Sequence, residues 1–304
     1  MPHVANSAKG FEWIHVNEAN EADFAYLKER FKFHPLDYAD IRSENIIAKM
    51  DTYKHYVFLV FQIPVERTVG QPLDDLVLYV FLSDTTVVTV TREHSPVLER
   101  IAQRLVANPR ARASMVGKGS GLLLYRLLSE AFHETNNLVA RLSSRVRELE
   151  FDVYRAHRRN TTIALAQARR DVLFLRHLVD PQRHLLSSLV NLRRPYLSEE
   201  ISVYFDDLGD TLAMAYLTID NLKSIIDGLF EVNESLLAHQ TNRVITQLTV
   251  ISAALMAPTL VAGFYGMNVA WLPLVHDAWF VAFLFLISFL LVLVSVHLIT
   301  RKHV

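Results

Sequence analysis

Asn242 starts a row of side chains that recurs every three or four residues: Thr246, Thr249, Ser252 or Ala253, Met256, Thr259 and Gly263. On an α-helix these positions share one face. The chemistry they offer is a file of neutral oxygens broken by one thioether. The other positions of the segment are apolar, among them Val244, Leu248, Val250, Ile251, Leu255 and Leu260. A helix in hydrocarbon aligns hydroxyls only against another helix or against water. The stripe therefore packs helices together or lines an aqueous path, and periodicity alone leaves both open. It runs into Tyr265-Gly266-Met267-Asn268, where glycine and asparagine suit a helix that ends in a left-handed turn.

Upstream, the same stepping passes Asp220, Asp227, Glu231 and Glu234 before Ala238. In a symmetric oligomer Asp227, Glu231 and Glu234 would form carboxylate rings that concentrate cations. In a monomer they are a solvated helix face. Asp206, Asp207 and Asp210 form a second acidic group. The thirteen histidines offer no metal-ligand pair and read as surface or packing residues. No phosphate-cradling glycine loop, nucleophile elbow or His-Glu-x-x-His is present, and the Gly117 to Gly121 stretch lacks Walker spacing. The chain does not read as an enzyme.

The elements that must position these residues follow from hydropathy. Val244 to Tyr265 and Ala278 to Thr300 are apolar runs of about twenty residues, enough to cross roughly 30 Å of hydrocarbon. Arg243 precedes the first run and Arg301, Lys302 and His303 follow the second, while Val269 to Asp277 holds no Lys or Arg. The positive-inside rule then puts both chain ends in the cytoplasm and the short loop outside. Met1 to Phe11 has no signal-peptide pattern.

Before the hairpin, Tyr56 to Phe61, Leu76 to Leu82 and Thr85 to Thr91 read as strands. Glu21 to Lys32 and Pro96 to Val106 read as helices, the latter with Ser95 as cap. Gly117, Gly119 and Gly121 mark a break. Helices are expected from Leu122 to about His157, from Thr161 to about Leu192 with an interruption at Asp180-Pro181, and from Ser198 into the membrane. The expected architecture is an α/β cytoplasmic domain (1–118), helical stalks (119–243) and a transmembrane hairpin (244–304), α-dominated overall. The chain has 304 residues, net charge −1 and no cysteine, which gives nucleic acid no basic field and excludes disulfides and thiolate metal sites.

Tyr-Gly-Met-Asn at the outer end of a penultimate span, followed by one more span and a basic tail, resembles the CorA family of divalent-cation channels. Phe33-His34-Pro35-Leu36 with Asp40-Ile41, Tyr56-Val57-Phe58 and Leu123-Leu124-Tyr125 resemble further family patterns. The resemblance covers nearly the whole chain. It implies a homopentamer in the inner (plasma) membrane that carries Mg²⁺, with Co²⁺ or Ni²⁺ as further ions, and needs no cofactor. Gly266, Met267 and Asn268 would form the selectivity filter. Asn242, Met256 and Thr259 fall where the family has its pore-lining Asn, Met and Thr. Asp207, with Asp210 one turn on, falls where the family binds a regulatory divalent ion between subunits.

Two departures stand against this pattern. Arg92-Glu93-His94-Ser95-Pro96 lacks the aspartate expected to partner Asp207, with Glu93 or His94 as substitutes. The loop Trp271-Leu272-Pro273-Leu274 lacks the acid that many members carry, so Asp277 is its only carboxylate. The related ZntB branch, with proton-coupled Zn²⁺ transport, is thus the alternative. A membrane-anchored cytoplasmic sensor is a further reading, which the polar stripe speaks against.

Overall fold

The computed structural model describes residues 3–6, 11–43, 47–68, 70–108, 119–154, 161–267 and 277–301. Two compact units divide the chain, Met1–Phe230 and Glu231–Val304. The first is built on a six-stranded sheet: β1 (His3–Asn6), β2 (Glu12–Val16), β3 (Lys49–Thr52), β4 (Val57–Val65), β5 (Asp74–Leu82) and β6 (Thr86–Thr91). The strand order is β1-β2-β6-β5-β4-β3. Only β2 and β6 pair in parallel; every other neighbour is antiparallel.

β4 is buried from Val57 through Pro64, so both of its faces are covered. Its sequence is accordingly an unbroken apolar run rather than an alternation. On one face Phe58, Val60, Tyr79 and Phe81 pack with Phe24 and Leu27 of α1 (Glu21–Arg30) and Tyr38 and Ile41 of α2 (Pro35–Arg42). On the other, Phe61 meets Phe132 of α4 (Ser120–Tyr154) edge to face at 6.2 Å. Gln182 of α5 (Thr161–Val190) donates to the Gln62 carbonyl at 2.8 Å.

Local signals fix the helix starts. Asn20 and Asp23 form a reciprocal capping box on α1. His34 Nδ1 accepts from the Leu36 amide ahead of α2, whose first residue is Pro35. Ser95 caps α3 (Pro96–Ala107) as its sequence predicts. Gly119, at φ 105°, holds a conformation that side chains disfavour, and the expected break falls there, one residue before α4.

The long helices α6 (Glu199–Tyr265) and α7 (Ala278–Arg301) complete the chain. The expected interruption at Asp180-Pro181 does not occur: α5 runs through Pro181. Gln182 Nε2 also donates to the Leu178 carbonyl at 2.8 Å, which helps satisfy the backbone beside the proline. β1, β2, β3 and α2 are additions to the strands and helices expected from the sequence.

Candidate functional site

α6 is set up by Glu199 and Glu200 in its first turn, where acids favour the positive helix end. Its later part contains an 18-residue window apolar enough to cross a membrane, with none of it buried in this chain. A groove of about 590 Å³ lies along this part, lined by Ser252, Met256, Thr259, Gly263 and Met267 with neighbouring apolar residues. The later part of the predicted polar stripe and Met267, expected in the filter, therefore share one concave surface. Thr246 and Thr249 are exposed further back on the helix, as is Asn242.

Two hydroxyls on this face are already oriented. Thr249 donates to the Ile245 carbonyl at 2.8 Å and Thr259 to the Leu255 carbonyl at 2.6 Å. A hydroxyl has one proton and two lone pairs. With the proton turned back onto the helix, only acceptor oxygen faces outward. That polarity suits a cation, or the water protons of a hydrated cation, and disfavours an anion.

At the end of α6 the Gly266 amide donates to the Ala262 carbonyl at 2.8 Å. Gly266 is not in the left-handed region expected from the sequence. Its glycine is explained by a close approach instead: an added Cβ would stand 2.8 Å from the Ala262 oxygen. Asn268 lies outside the described residues, as do Trp271 to Leu274. Asp277 caps α7, its Oδ1 accepting from the Trp279 amide at 3.0 Å. The loop's one carboxylate is thus held by a helix N-terminus.

The acidic residues of the stalk separate into two kinds. Asp227 is bound within its own chain, to Arg169 at 3.1 Å and Lys223 at 2.9 Å. The Lys223 bond, with help from Arg169, holds its carboxyl below the usual range against the opposing effect of burial. Asp220 likewise pairs with Arg176 at 3.2 Å. Glu231 and Glu234 are exposed and form no ion pair among the described residues.

Asp207 and Asp210 are exposed. Asp210 shares a cavity of about 470 Å³ with Asp206, His184 and Asn191, which Asp207 does not line. The two substitutes considered for the missing aspartate are both engaged elsewhere. Glu93 is ion-paired with Arg67. His94 contacts Asn17 at 3.1 Å and Glu99 at 3.3 Å.

One acidic constellation was not anticipated from the sequence. Asp37 is fully buried and accepts from Tyr53 at 2.7 Å and Tyr56 at 2.6 Å. Burial pushes its carboxyl pKa up, and the two hydroxyl bonds pull against that shift. Burial, and then the bond to Asp37, raise both tyrosines well above their ordinary value. Asp37, Asp40 and Asp51 bring carboxylate oxygens within 4.8 Å of one another. The cation at this cluster is Lys49, at 2.6 Å from Asp40 and 2.7 Å from Asp51.

The family model of the CorA-like Mg2+ transporter protein matches residues 8–301. The cobalt/magnesium transport protein CorA of Thermotoga maritima is 26% identical over 88% of this chain and 76% of its own length. The zinc transport protein ZntB of Photorhabdus laumondii is 19% identical over 90% of this chain and 81% of its own. The fold is similar to the complete structure of the CorA magnesium transporter from Methanocaldococcus jannaschii, with a TM-score of 0.79 at 16% identity over 94% of this chain and 89% of that one.

Proposed function

From the premise that the chain belongs to the CorA-like Mg2+ transporter family, we propose that it carries Mg²⁺ across the membrane as a homopentamer. Divalent-cation transport, rather than enzymatic turnover, is the activity of that family. The observation that carries the ion reading is the acceptor oxygen of Thr259 on the groove that also holds Met256 and Met267, with that of Thr249 exposed further back on the same helix.

Mg²⁺ sheds its waters reluctantly and is bound most readily with several of them in place. A filter suited to it accepts hydrogen bonds from those waters instead of replacing them. In the proposed assembly, five Asn268 carboxamides and five Gly266 carbonyls form such a ring at the outer mouth. Neutral oxygens keep the ion weakly enough bound to leave. Met256 forms an apolar constriction, Thr259 a polar ring and Asn242 a ring at the cytoplasmic end. Glu231 and Glu234, free of ion pairs among the described residues, raise the local cation concentration on the stalk. Both chain ends lie in the cytoplasm, as the flanking charges require, and internal Mg²⁺ bound at Asp207 and Asp210 favours the closed state.

A Zn²⁺ carrier driven by protons is the second reading. Two observations favour keeping it: the relative named a zinc transport protein, and the engagement of Asp277 as a helix cap, which leaves the outer loop without a free carboxylate.

Flux into proteoliposomes decides between them. Mg²⁺ uptake independent of a pH gradient, lost in Asn268→Ala, is the expected result. Zn²⁺ uptake that requires the gradient, with no Mg²⁺ uptake, establishes the second reading. Full Mg²⁺ uptake by Asn268→Ala overturns the filter assignment, and the absence of any ion flux leaves the chain as an anchored sensor.

A further inference from the structure

A second cavity in the first compact unit has a composition unlike that of a cation site. It measures about 650 Å³ and lies between the end of α1 and α2. This is within the range of about 300–1,000 Å³ typical of small-molecule sites. Its polar lining is Lys28, Lys32, Tyr38, Arg42 and Ser43, and no acidic side chain lines it among the described residues. Arg42 is neutralised by Glu21, through bonds of 3.1 and 2.7 Å. Lys28 and Lys32 have no carboxylate partner among the described residues. The Lys28 ammonium lies over the Tyr38 ring, 5.3 Å from its centroid.

Tyr38 supplies the second observation. Its side chain is 3% exposed, yet its hydroxyl has no hydrogen-bond partner among the described residues. Leaving a buried hydroxyl unpaired is costly, and native structures rarely do so without a reason. Two ammonium groups without a carboxylate partner among the described residues, in a cavity without acids and beside a tyrosine whose hydroxyl is unpaired there, ask for an acceptor-rich anion. The acids nearest in sequence are held elsewhere: Asp37 by Tyr53 and Tyr56, Asp40 by Lys49.

The aromatic wall adds shape to the charge. Phe31, Lys32, Phe33 and Pro35 also line the adjoining cavity of about 760 Å³, with Lys54 and the stacked His34 and Tyr53 rings. A ligand with a phosphoryl group in the basic cavity and a planar ring beyond it would meet matching chemistry on both sides of this segment. We propose that the cavity between α1 and α2 binds a phosphoryl anion, with Lys28 and Lys32 as its charge partners and the Tyr38 hydroxyl as a further donor.

Equilibrium binding to the full-length protein in detergent, in Mg²⁺-free buffer with chelator, tests this. The probes are inorganic phosphate, pyrophosphate, ATP and, as the uncharged control, adenosine. At least one phosphorylated probe is expected to bind, and which one identifies the source of the phosphoryl group. The Lys28→Ala, Lys32→Ala double variant, whose changes are at exposed side chains, is expected to bind it roughly tenfold or more weakly, as loss of charged hydrogen bonds implies. Tyr38→Phe, which keeps the ring, is expected to weaken it severalfold. Binding of adenosine as strong as that of ATP, no binding of any phosphorylated probe, or affinity unchanged in the double variant would each overturn the proposal.

Discussion

Asp227 of α6 and Arg169 of α5 meet at 3.1 Å, and the second Asp227 oxygen takes Lys223 at 2.9 Å. Both oxygens of a carboxylate that helical stepping aligns with Glu231 and Glu234 therefore each face a cation of the same chain. The three acids are expected to behave differently. Glu231→Gln with Glu234→Gln should lower ion uptake at low external salt and low ion concentration, where surface potentials are least screened. Asp227→Asn should leave uptake within about twofold and cost only about 0.2–1 kcal/mol of stability, as partly exposed pairs do. Initial rates in proteoliposomes at two ionic strengths check this. An Asp227→Asn defect as large as that of the double variant would put Asp227 back on the ion path.

The buried carboxylate of Asp37 makes a pH-dependent prediction. Its pKa is raised by burial, so its contribution to stability is present below the unfolded value of about 3.9 and is lost as pH rises through the folded one. At neutral pH the ionised group depends on its two tyrosine donors. Tyr53→Phe removes one and should cost about 1–3 kcal/mol there. It also raises the Asp37 pKa further, so the deficit should shrink as the medium is acidified and the group protonates. Thermal unfolding followed through Trp13, buried in the sheet beside Thr89, compares variant and parent at pH 8 and pH 5. Equal deficits at both values would mean that the hydroxyl does not serve a carboxylate.

What the sequence discloses and what it hides follow one physical division. β4, β5 and β6 are legible because burial on both faces leaves long runs of β-branched and aromatic residues. The end of α6 and α7 are legible as helices because their residues are apolar over long runs. β3 is Lys-Met-Asp-Thr at a sheet edge, with no alternation to read. α2 has only eight residues, and its start rests on a histidine cap. Asp277 did carry a readable signal, a carboxylate just before an apolar helical run. The pairing of Asp227 with Arg169, and of Asp37 with Tyr53 and Tyr56, joins residues on different elements, and no local period records it.

Two glycines test packing in opposite directions. A Cβ on Gly121 would collide with the Tyr196 carbonyl oxygen and press on the Ile201 side chain at 3.1 Å. Backbone cannot yield as a side-chain tip does, so Gly121→Ala should cost about 1–3 kcal/mol. Gly228, in the middle of α6, has nothing within 4 Å of the same position. Gly228→Ala should therefore stabilise the helix by up to about 1 kcal/mol. Unfolding midpoints of the two variants give the sign of each. A destabilised Gly228→Ala with an altered oligomeric state would show that a neighbouring subunit packs there.

The regulatory prediction turns on which carboxylates are free. Asp207 is exposed, and none of its side-chain atoms is bonded among the described residues. Glu93, the nearest replacement for the missing aspartate, is neutralised by Arg67, which also holds Asp74 at 2.6 Å. A divalent ion recruited by Glu93 would have to displace an arginine that already serves two acids. Asp207→Ala should therefore weaken closure by internal Mg²⁺, shifting the half-inhibiting concentration upward by severalfold. Glu93→Ala should leave that concentration unchanged and loosen only the Arg67 ion pairs. Flux from vesicles loaded with graded internal Mg²⁺ measures both. If Glu93→Ala shifts the concentration as far as Asp207→Ala does, the arginine gives way to the ion and Glu93 is the partner after all.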